Sequence, residues 1–166
     1  GTYFFTVNLA DRSSTLLIDK IDALRSVFQK IKLQHPFEIE AMVVLPDHLH
    51  SIWTLPPDDD DYATRWSLIK AAFSRQIPVN EKRNPSRLLK AERGIWQRRY
   101  WEHLIRDEQD FNHHMNYIHY NPVKHGHAQN PVDWLHSSIH RYIAKGTLQA
   151  DWGSGVDFGN INFGEN

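Results

Sequence analysis

His48 and His50 stand one residue apart in the run PDHLH, directly after an apolar stretch. On a strand, residues i and i+2 point to the same face, so both imidazoles would project side by side. Imidazole is the commonest metal ligand near neutral pH. A lone His-x-His is more often incidental than ligating, and it gains meaning only where a further ligand and a reactive group converge on it. The segment Glu108–Asn121 offers both, with the phenol of Tyr117 one helical turn from the amide of Asn121. A phenol with its ordinary pKa of about 10 is a weak nucleophile at neutral pH. A divalent cation beside it favours the phenolate and polarises a phosphate at once. Two neutral imidazoles and an amide add no negative charge, so such a cation stays fully electrophilic. Blander readings stand beside this one. Tyr117 also reads as a half-buried packing residue with a wet hydroxyl, and Asn121 before Pro122 as a helix C-cap. His113, His114 and His119 read as ordinary exposed histidines and take no ligand role.

Composition narrows the chemistry. Cysteine is absent, which removes disulfides, zinc thiolates and cysteine nucleophiles together and suits a cytoplasmic protein. Any metal must then use imidazole, carboxylate, amide or water. The chain of 166 residues suits one domain with a real core. Its longest apolar run, near Ala41–Leu45, is too short to span a bilayer. The opening GTYFFTVNL lacks a basic region and a cleavage site, so it reads as a strand and not as a signal peptide; a leading Gly-Thr directly before that strand suggests that residues precede it in the native protein. A net charge of −1 advertises no nucleic-acid binder, but the charge is unevenly spread. Lys82, Arg83, Arg87, Lys90, Arg93, Arg98, Arg99 and Arg106 face only Glu81, Glu92 and Glu102 over one stretch, while Asp58–Asp61 is acidic. Trp96, Tyr100 and Trp101 are interleaved with these cations and read as base-stacking platforms beside phosphate contacts, as single-stranded nucleic acid requires.

The elements that must position these groups follow from periodicity. Tyr3–Leu9 reads as a strand, and Asp19–Gln34, with Ile21, Leu24, Val27, Phe28 and Ile31 in register, as an amphipathic helix ended by His35-Pro36. Phe37–Leu45 and His48–Leu55 read as an antiparallel hairpin about Pro46-Asp47. Tyr62–Gln76 carries Trp66, Ile69 and Phe73 on one helical face. Pro78–Gly94, broken by Pro85, reads as a mobile connection, and Trp96–Ile105 holds a fourth strand. Asp107 caps a helix from Glu108 to about Asn121, which Pro122 closes because the residue before proline avoids the α region. Its buried stripe is Phe111, Met115, Ile118 and Pro122, with Tyr117 and Asn121 on a neighbouring face beside Asp110, His113 and His114. Asn130–Ala144 reads as one more short helix. The order predicts an α+β fold, a ferredoxin-like antiparallel sheet built on a βαββαβ core. Its helices pack mainly on one face, with an extra C-terminal helix. Residues 1–150 form a single domain, and 151–166, rich in Gly, Asn and Asp, a loosely ordered tail.

Three motifs in order, PDHLH, WQRRYWEHLIRDEQDF and YIHYNPVKHG, resemble the REP-associated tyrosine transposases, relatives of insertion-sequence transposases with an HUH site. The similarity runs from about Tyr3 to Trp152, with Leu49 at the central apolar position. Two departures stand out: the Pro78–Arg93 connection is longer than the family's, and the family's basic N-terminal lead-in is not in this chain. The resemblance implies that Tyr117 is the nucleophile, that His48 and His50 bind Mg²⁺ or Mn²⁺, and that Asn121 is the third ligand. It further implies DNA contact by Arg98, Arg99, Trp101 and Arg106, with His103 near the site. The implied partner is single-stranded or hairpin DNA flanked by a short tetranucleotide, and the implied enzyme a monomer or weak homodimer that nicks and rejoins it through a 5′-phosphotyrosine. Two other classes of function fit parts of the same pattern. One is a metal-dependent phosphoesterase using water; histidine-triad hydrolases would need a third alternating histidine where Ile52 stands. The other is a non-catalytic nucleic-acid-binding domain, since ferredoxin-like sheets often bind RNA.

Overall fold

Strict alternation along strand β1 (Thr2–Asn8) separates two cores. Phe5 and Val7 face one side of the sheet; Phe4, Thr6 and Asn8 face the other. The computed structural model describes residues 1–158, 163 and 165. After β1 come α1 (Leu16–Asp19), α2 (Ile21–Gln34), β2 (Glu38–Val44), β3 (His48–Thr54), α3 (Tyr62–Arg75) and α4 (Pro85–Leu89). Then follow β4 (Trp101–Leu104), α5 (Glu108–Lys124), a 3₁₀ turn at Pro131–Asp133 and α6 (Ile139–Ala144). The four strands lie in the order β2-β3-β1-β4 and every neighbouring pair is antiparallel. This is the expected split βαβ arrangement, with sequence-adjacent β2 and β3 paired and β1 between β3 and β4.

The two helices of the βαββαβ core, α2 and α3, cover one face. Leu24, Phe28 and Ile31 from α2 and Trp66, Ile69 and Phe73 from α3 pack on Phe5, Val7, Leu49 and Trp53. Trp53 and Trp66 stack at 4.3 Å between ring centroids. The additional helix, α5, covers the opposite face, where Met115, Tyr117 and Ile118 meet Phe4, Ala41, Val43, Leu45 and Ile52. Both histidines of β3 therefore lie between the sheet and α5. Among the described residues no helix is long and apolar enough to cross a membrane.

Several boundaries differ from the sequence reading, each for a local reason. α5 does not end before Pro122 but runs through it to Lys124. Proline removes one intrahelical hydrogen bond, yet Pro122 is buried against the sheet side, and the helix stops where the chain can turn left-handed. That point is Gly126, at φ +73°. His127 N–H donates to Pro122 O at 2.9 Å and Gly126 N–H to Val123 O at 3.0 Å, the Schellman pairing. The expected N-cap holds, with Asp107 accepting from Asp110 N–H at 2.8 Å. β4 is shorter than Trp96–Ile105 because Trp96 is buried beside Leu9 in an isolated bridge.

The Pro78–Gly94 connection is pinned, not mobile. It holds the short α4, and Arg93 donates to Glu81, Ser74 O and Ile77 O while Arg87 donates to Arg93 O and Trp96 O. Asn130–Ala144 is divided into the 3₁₀ turn and α6. The expectation of a loosely ordered segment over 151–166 falls partly on residues 159–162, 164 and 166, which lie outside the described residues.

His114 and His119 are buried, contrary to the sequence reading, while His113 is exposed. His119 turns away from the sheet histidines: its Nε2 meets Ser138 Oγ at 2.9 Å and its ring packs on Tyr142 and Trp152. Burial first, then Arg141 and His140, push its pKa from 6.5 down to about 4. The ring is thus held neutral in the fold. Its contribution is complete above the unfolded value and is lost as pH falls from about 6.5 toward 4. Urea unfolding should show the protein losing about 2 kcal/mol more stability between pH 7 and pH 5 than His119→Gln loses. Equal losses would mean that the ring is free to charge.

Candidate active site

Strand β3 points His48 and His50 at α5, and each ring is fixed through its Nδ1 atom. His48 Nδ1 meets Asp47 Oδ1 at 2.9 Å, and Asp47 is itself held by Arg12 at 2.7 Å. Burial alone would raise the Asp47 carboxyl, but hydrogen bonds from His48 and Arg12 prevail and hold it well below the usual carboxylate range. An ionised Asp47 can only accept, so His48 carries its proton on Nδ1 and presents a bare Nε2. His50 Nδ1 lies 2.7 Å from Thr6 Oγ1 of β1. The two imidazole centroids are 5.0 Å apart. Burial above all lowers His50 to about 3, so it is neutral.

Helix α5 supplies the remaining groups from one face. Tyr117, Asn121 and Lys124 follow at steps of four and three, which align along a helix. The Tyr117 ring lies 5.1 Å from that of His50, and Phe4 props it edge-on from β1 at 6.0 Å. The sequence-level requirement, a phenol brought against two sheet imidazoles, is met. The structure brings together Tyr117, His48, His50 and Asn121, and adds Lys124, His125 and Glu165.

Glu165 comes from the C-terminal segment and places its carboxylate at the centre. Oε1 lies 3.0 Å from His50 Nε2, 2.7 Å from Asn121 Nδ2 and 4.0 Å from His48 Nε2, and it accepts from the Tyr117 hydroxyl. Oε2 lies 2.8 Å from Lys124 Nζ and 3.0 Å from His125 Nε2. Burial would raise the Glu165 carboxyl, yet the contacts with His125, His50 and Lys124 prevail and hold it ionised far below its ordinary range. Burial, and after it the Glu165 carboxylate, push the Tyr117 phenol well above its ordinary pKa. With this carboxylate in place the Tyr117 phenol stays protonated. Phe163 packs beside it, 4.8 Å from the Tyr117 ring.

The donor set fits a divalent cation. Among the described residues, His48 Nε2 and Asn121 Oδ1 are buried without a hydrogen-bond partner. Orphaned acceptors of this kind are costly unless something electropositive meets them. His48, His125 and Glu165 also offer ligand atoms within 4.8 Å of one another. Asn121 now turns its amide nitrogen to the anion; turned over, it presents Oδ1 to a cation.

The residues expected to meet DNA are spread along the β4 side. Trp101 is 47% exposed, pairs with Thr6 across the sheet and shares the face of His50. His103, also on this face, is 2.8 Å from Asp110. Arg99 and Arg106 are exposed. Arg98 is exposed but tied to Glu92 at 2.8 Å. Two of the three aromatics read as stacking platforms belong to the core: Trp96 is buried, and Tyr100 packs on Phe5 and Trp66. Lys124 and His125 were missed because the helix was expected to end at Asn121, and Asp47 because attention went to the imidazoles it orients. Glu165 carries no local signal, standing 41 residues beyond the last residue of α5.

Comparison with known proteins identifies the family. The profile described as Transposase IS200 like covers residues 3–121. The REP-associated tyrosine transposase of Escherichia coli strain K12 is 45% identical over 156 residues, 94% of this chain and 87% of that protein. A relative from Haemophilus influenzae is 45% identical over 158 residues, 95% of this chain and 90% of its own. Among solved structures, a REP-associated tyrosine transposase bound to a REP hairpin superposes with TM-score 0.85 at 43% identity, covering 100% of this chain and 92% of the other. With the family profile, two relatives at 45% identity and the superposed structure all in agreement, the chain belongs to the REP-associated tyrosine transposases of the IS200-like family.

Proposed function

We propose that this protein cleaves and rejoins single-stranded DNA beside REP-type hairpins through a covalent 5′-phosphotyrosine on Tyr117. The observation that carries this reading is the convergence of Tyr117 Oη, His48, His50 and Asn121 on one carboxylate position between β3 and α5. His48 and His50 through Nε2, with Asn121 through Oδ1, are the residues to hold Mg²⁺ or Mn²⁺. The chemistry supplied there by a bound ion is Lewis-acid polarisation of the phosphate and stabilisation of the phenolate.

In the cleavage step Tyr117 Oη forms a bond to phosphorus, the bond from phosphorus to the 3′ oxygen breaks, and the phenolic proton ends on that departing oxygen. The phosphodiester is exchanged for a phosphotyrosine, so a second 3′ hydroxyl reverses the exchange without any other reactant. Phe4, set against the phenol ring, limits its swing toward the phosphorus. Trp101, exposed at the sheet edge on the same face, is placed to stack a base of the strand entering the site, with Arg99, Arg98 and Arg106 toward its phosphates and His103 between. The hairpin itself is assigned as partner on the likeness to the hairpin-bound relative. The enzyme acts in the cytoplasm, on DNA, as a monomer or weak homodimer.

The discriminating experiment uses a labelled hairpin oligonucleotide with a single-stranded extension, incubated with Mn²⁺ and resolved under denaturing conditions. A protein-linked label is expected, absent in Tyr117→Phe and absent after chelation. Label release without an adduct that persists in Tyr117→Phe would mean that water is the nucleophile. Hairpin binding indifferent to chelator, with no cleavage at all, would leave only a binding module.

Because Glu165 fills the position that phosphate and cation must take, that carboxylate competes with substrate. Glu165→Ala should raise the initial rate of adduct formation several-fold at sub-saturating DNA, with hairpin affinity little changed. A rate equal to or below that of the unaltered chain would show that the carboxylate does not compete.

A further inference from the structure

The two oxygens of Glu165 are held by different groups, and the second set has no part in the chemistry described so far. Oε1 faces the phenol, the sheet imidazoles and the amide; Oε2 faces Lys124 Nζ at 2.8 Å and His125 Nε2 at 3.0 Å. Lys124 Nζ also stands 3.2 Å from Tyr117 Oη and 4.9 Å from the centre of its ring. The ammonium thus touches the nucleophilic oxygen and the bound anion together. Its position is built rather than casual. The side chain is 18% exposed, it rises from the last turn of α5 where a cation is favoured, and its ammonium lies over the tyrosine ring.

A carboxylate and a phosphodiester share one property that matters here: a single negative charge spread over two oxygens on one central atom. A diester in the place of Glu165, with phosphorus facing Tyr117 Oη, would turn one non-bridging oxygen to the imidazole and amide side and the other to Lys124. We infer that Lys124 is a catalytic residue of strand cleavage, its ammonium seating the non-bridging oxygen that faces away from His48 and His50 and holding the phosphorus beside Tyr117 Oη. His125 Nε2, at 3.0 Å, flanks the same oxygen. Lys124 neither gives nor takes a proton; the bonds made and broken are those of the cleavage step above. Its charge matters more as the transition state forms, because negative charge then gathers on the non-bridging oxygens at a site shielded from water.

This inference rests on the strand-cleavage reading, and the test separates the two. Since Lys124 also binds Glu165, measurements are made in the Glu165→Ala chain so that a loosened tail cannot mask the loss. There, Lys124→Met, which keeps an unbranched side chain but removes the charge, should slow adduct formation with Mn²⁺ by about a hundredfold or more. Lys124→Arg should recover much of that rate, and affinity for the isolated hairpin should stay within twofold. With chelator present, affinity for an oligonucleotide that includes the scissile phosphate should fall several-fold in Lys124→Met. A methylphosphonate at the scissile position adds a stereochemical readout. In one diastereomer the methyl group replaces the oxygen seated by Lys124, and for it the further loss caused by Lys124→Met should nearly vanish; in the other it should persist. An unchanged rate in Lys124→Met, or losses that multiply equally in both diastereomers, would overturn the role of Lys124 alone. Absence of any adduct from the Lys124-containing chain, despite intact hairpin binding, would overturn strand cleavage and this role with it.

Discussion

The pinning of two buried imidazoles through their Nδ1 atoms is the constraint on which the rest of the site depends. A ring on a strand keeps one rotational freedom that decides where its second nitrogen points, and here that freedom is removed twice, by Asp47 for His48 and by Thr6 for His50. Both anchors come from the fold itself. Asp47 sits in the hairpin turn that joins β2 to β3 and is clamped by Arg12, and Thr6 is the direct cross-strand neighbour of His50. The βαββαβ core therefore orients the imidazoles before any helix of the second layer contributes. α5 then needs only to dock at the right height, which Met115 and Ile118 ensure by burying themselves on Phe4, Val43 and Ile52. Each large apolar side chain buried in that contact contributes roughly 1.5–3 kcal/mol.

Much of this was legible from local pattern. The alternation of PDHLH put His48 and His50 on one face, and the spacing of Tyr117 and Asn121 put them one turn apart; the structure keeps both relations. The sheet order followed from element order alone. Legibility failed where a local rule was outvoted by tertiary context. Pro122 reads as a helix stop, yet its burial and the Schellman turn at Gly126 carry α5 three residues past Asn121, and Lys124 and His125 ride on that extension. Trp96 and Tyr100 sit among cations in sequence but fill the α2–α3 core in space. Arg87 and Arg93 look like a basic surface but spend donors on main-chain carbonyls, pinning the connection that carries the short α4. Glu165 could not be found from spacing at all, since nothing in residues 151–158 announces a return to the active site.

The difference between the two imidazole anchors has a further consequence. His48 is already in the state a cation needs: Asp47 can only accept, so the proton is on Nδ1 and Nε2 is bare. His50 is not. A neutral His50 that meets an ionised Glu165 at 3.0 Å must donate from Nε2, and its Nδ1 must then accept the Thr6 hydroxyl proton. To hold a cation, the same ring must carry its proton on Nδ1 and give it to Thr6 Oγ1, leaving Nε2 bare. The docked carboxylate and the cation thus call for opposite tautomers of one buried residue. Thr6 can serve both because a hydroxyl is donor and acceptor. A valine at position 6 would keep the shape of the strand but could satisfy neither tautomer, so the hydroxyl matters here more than the side chain's volume.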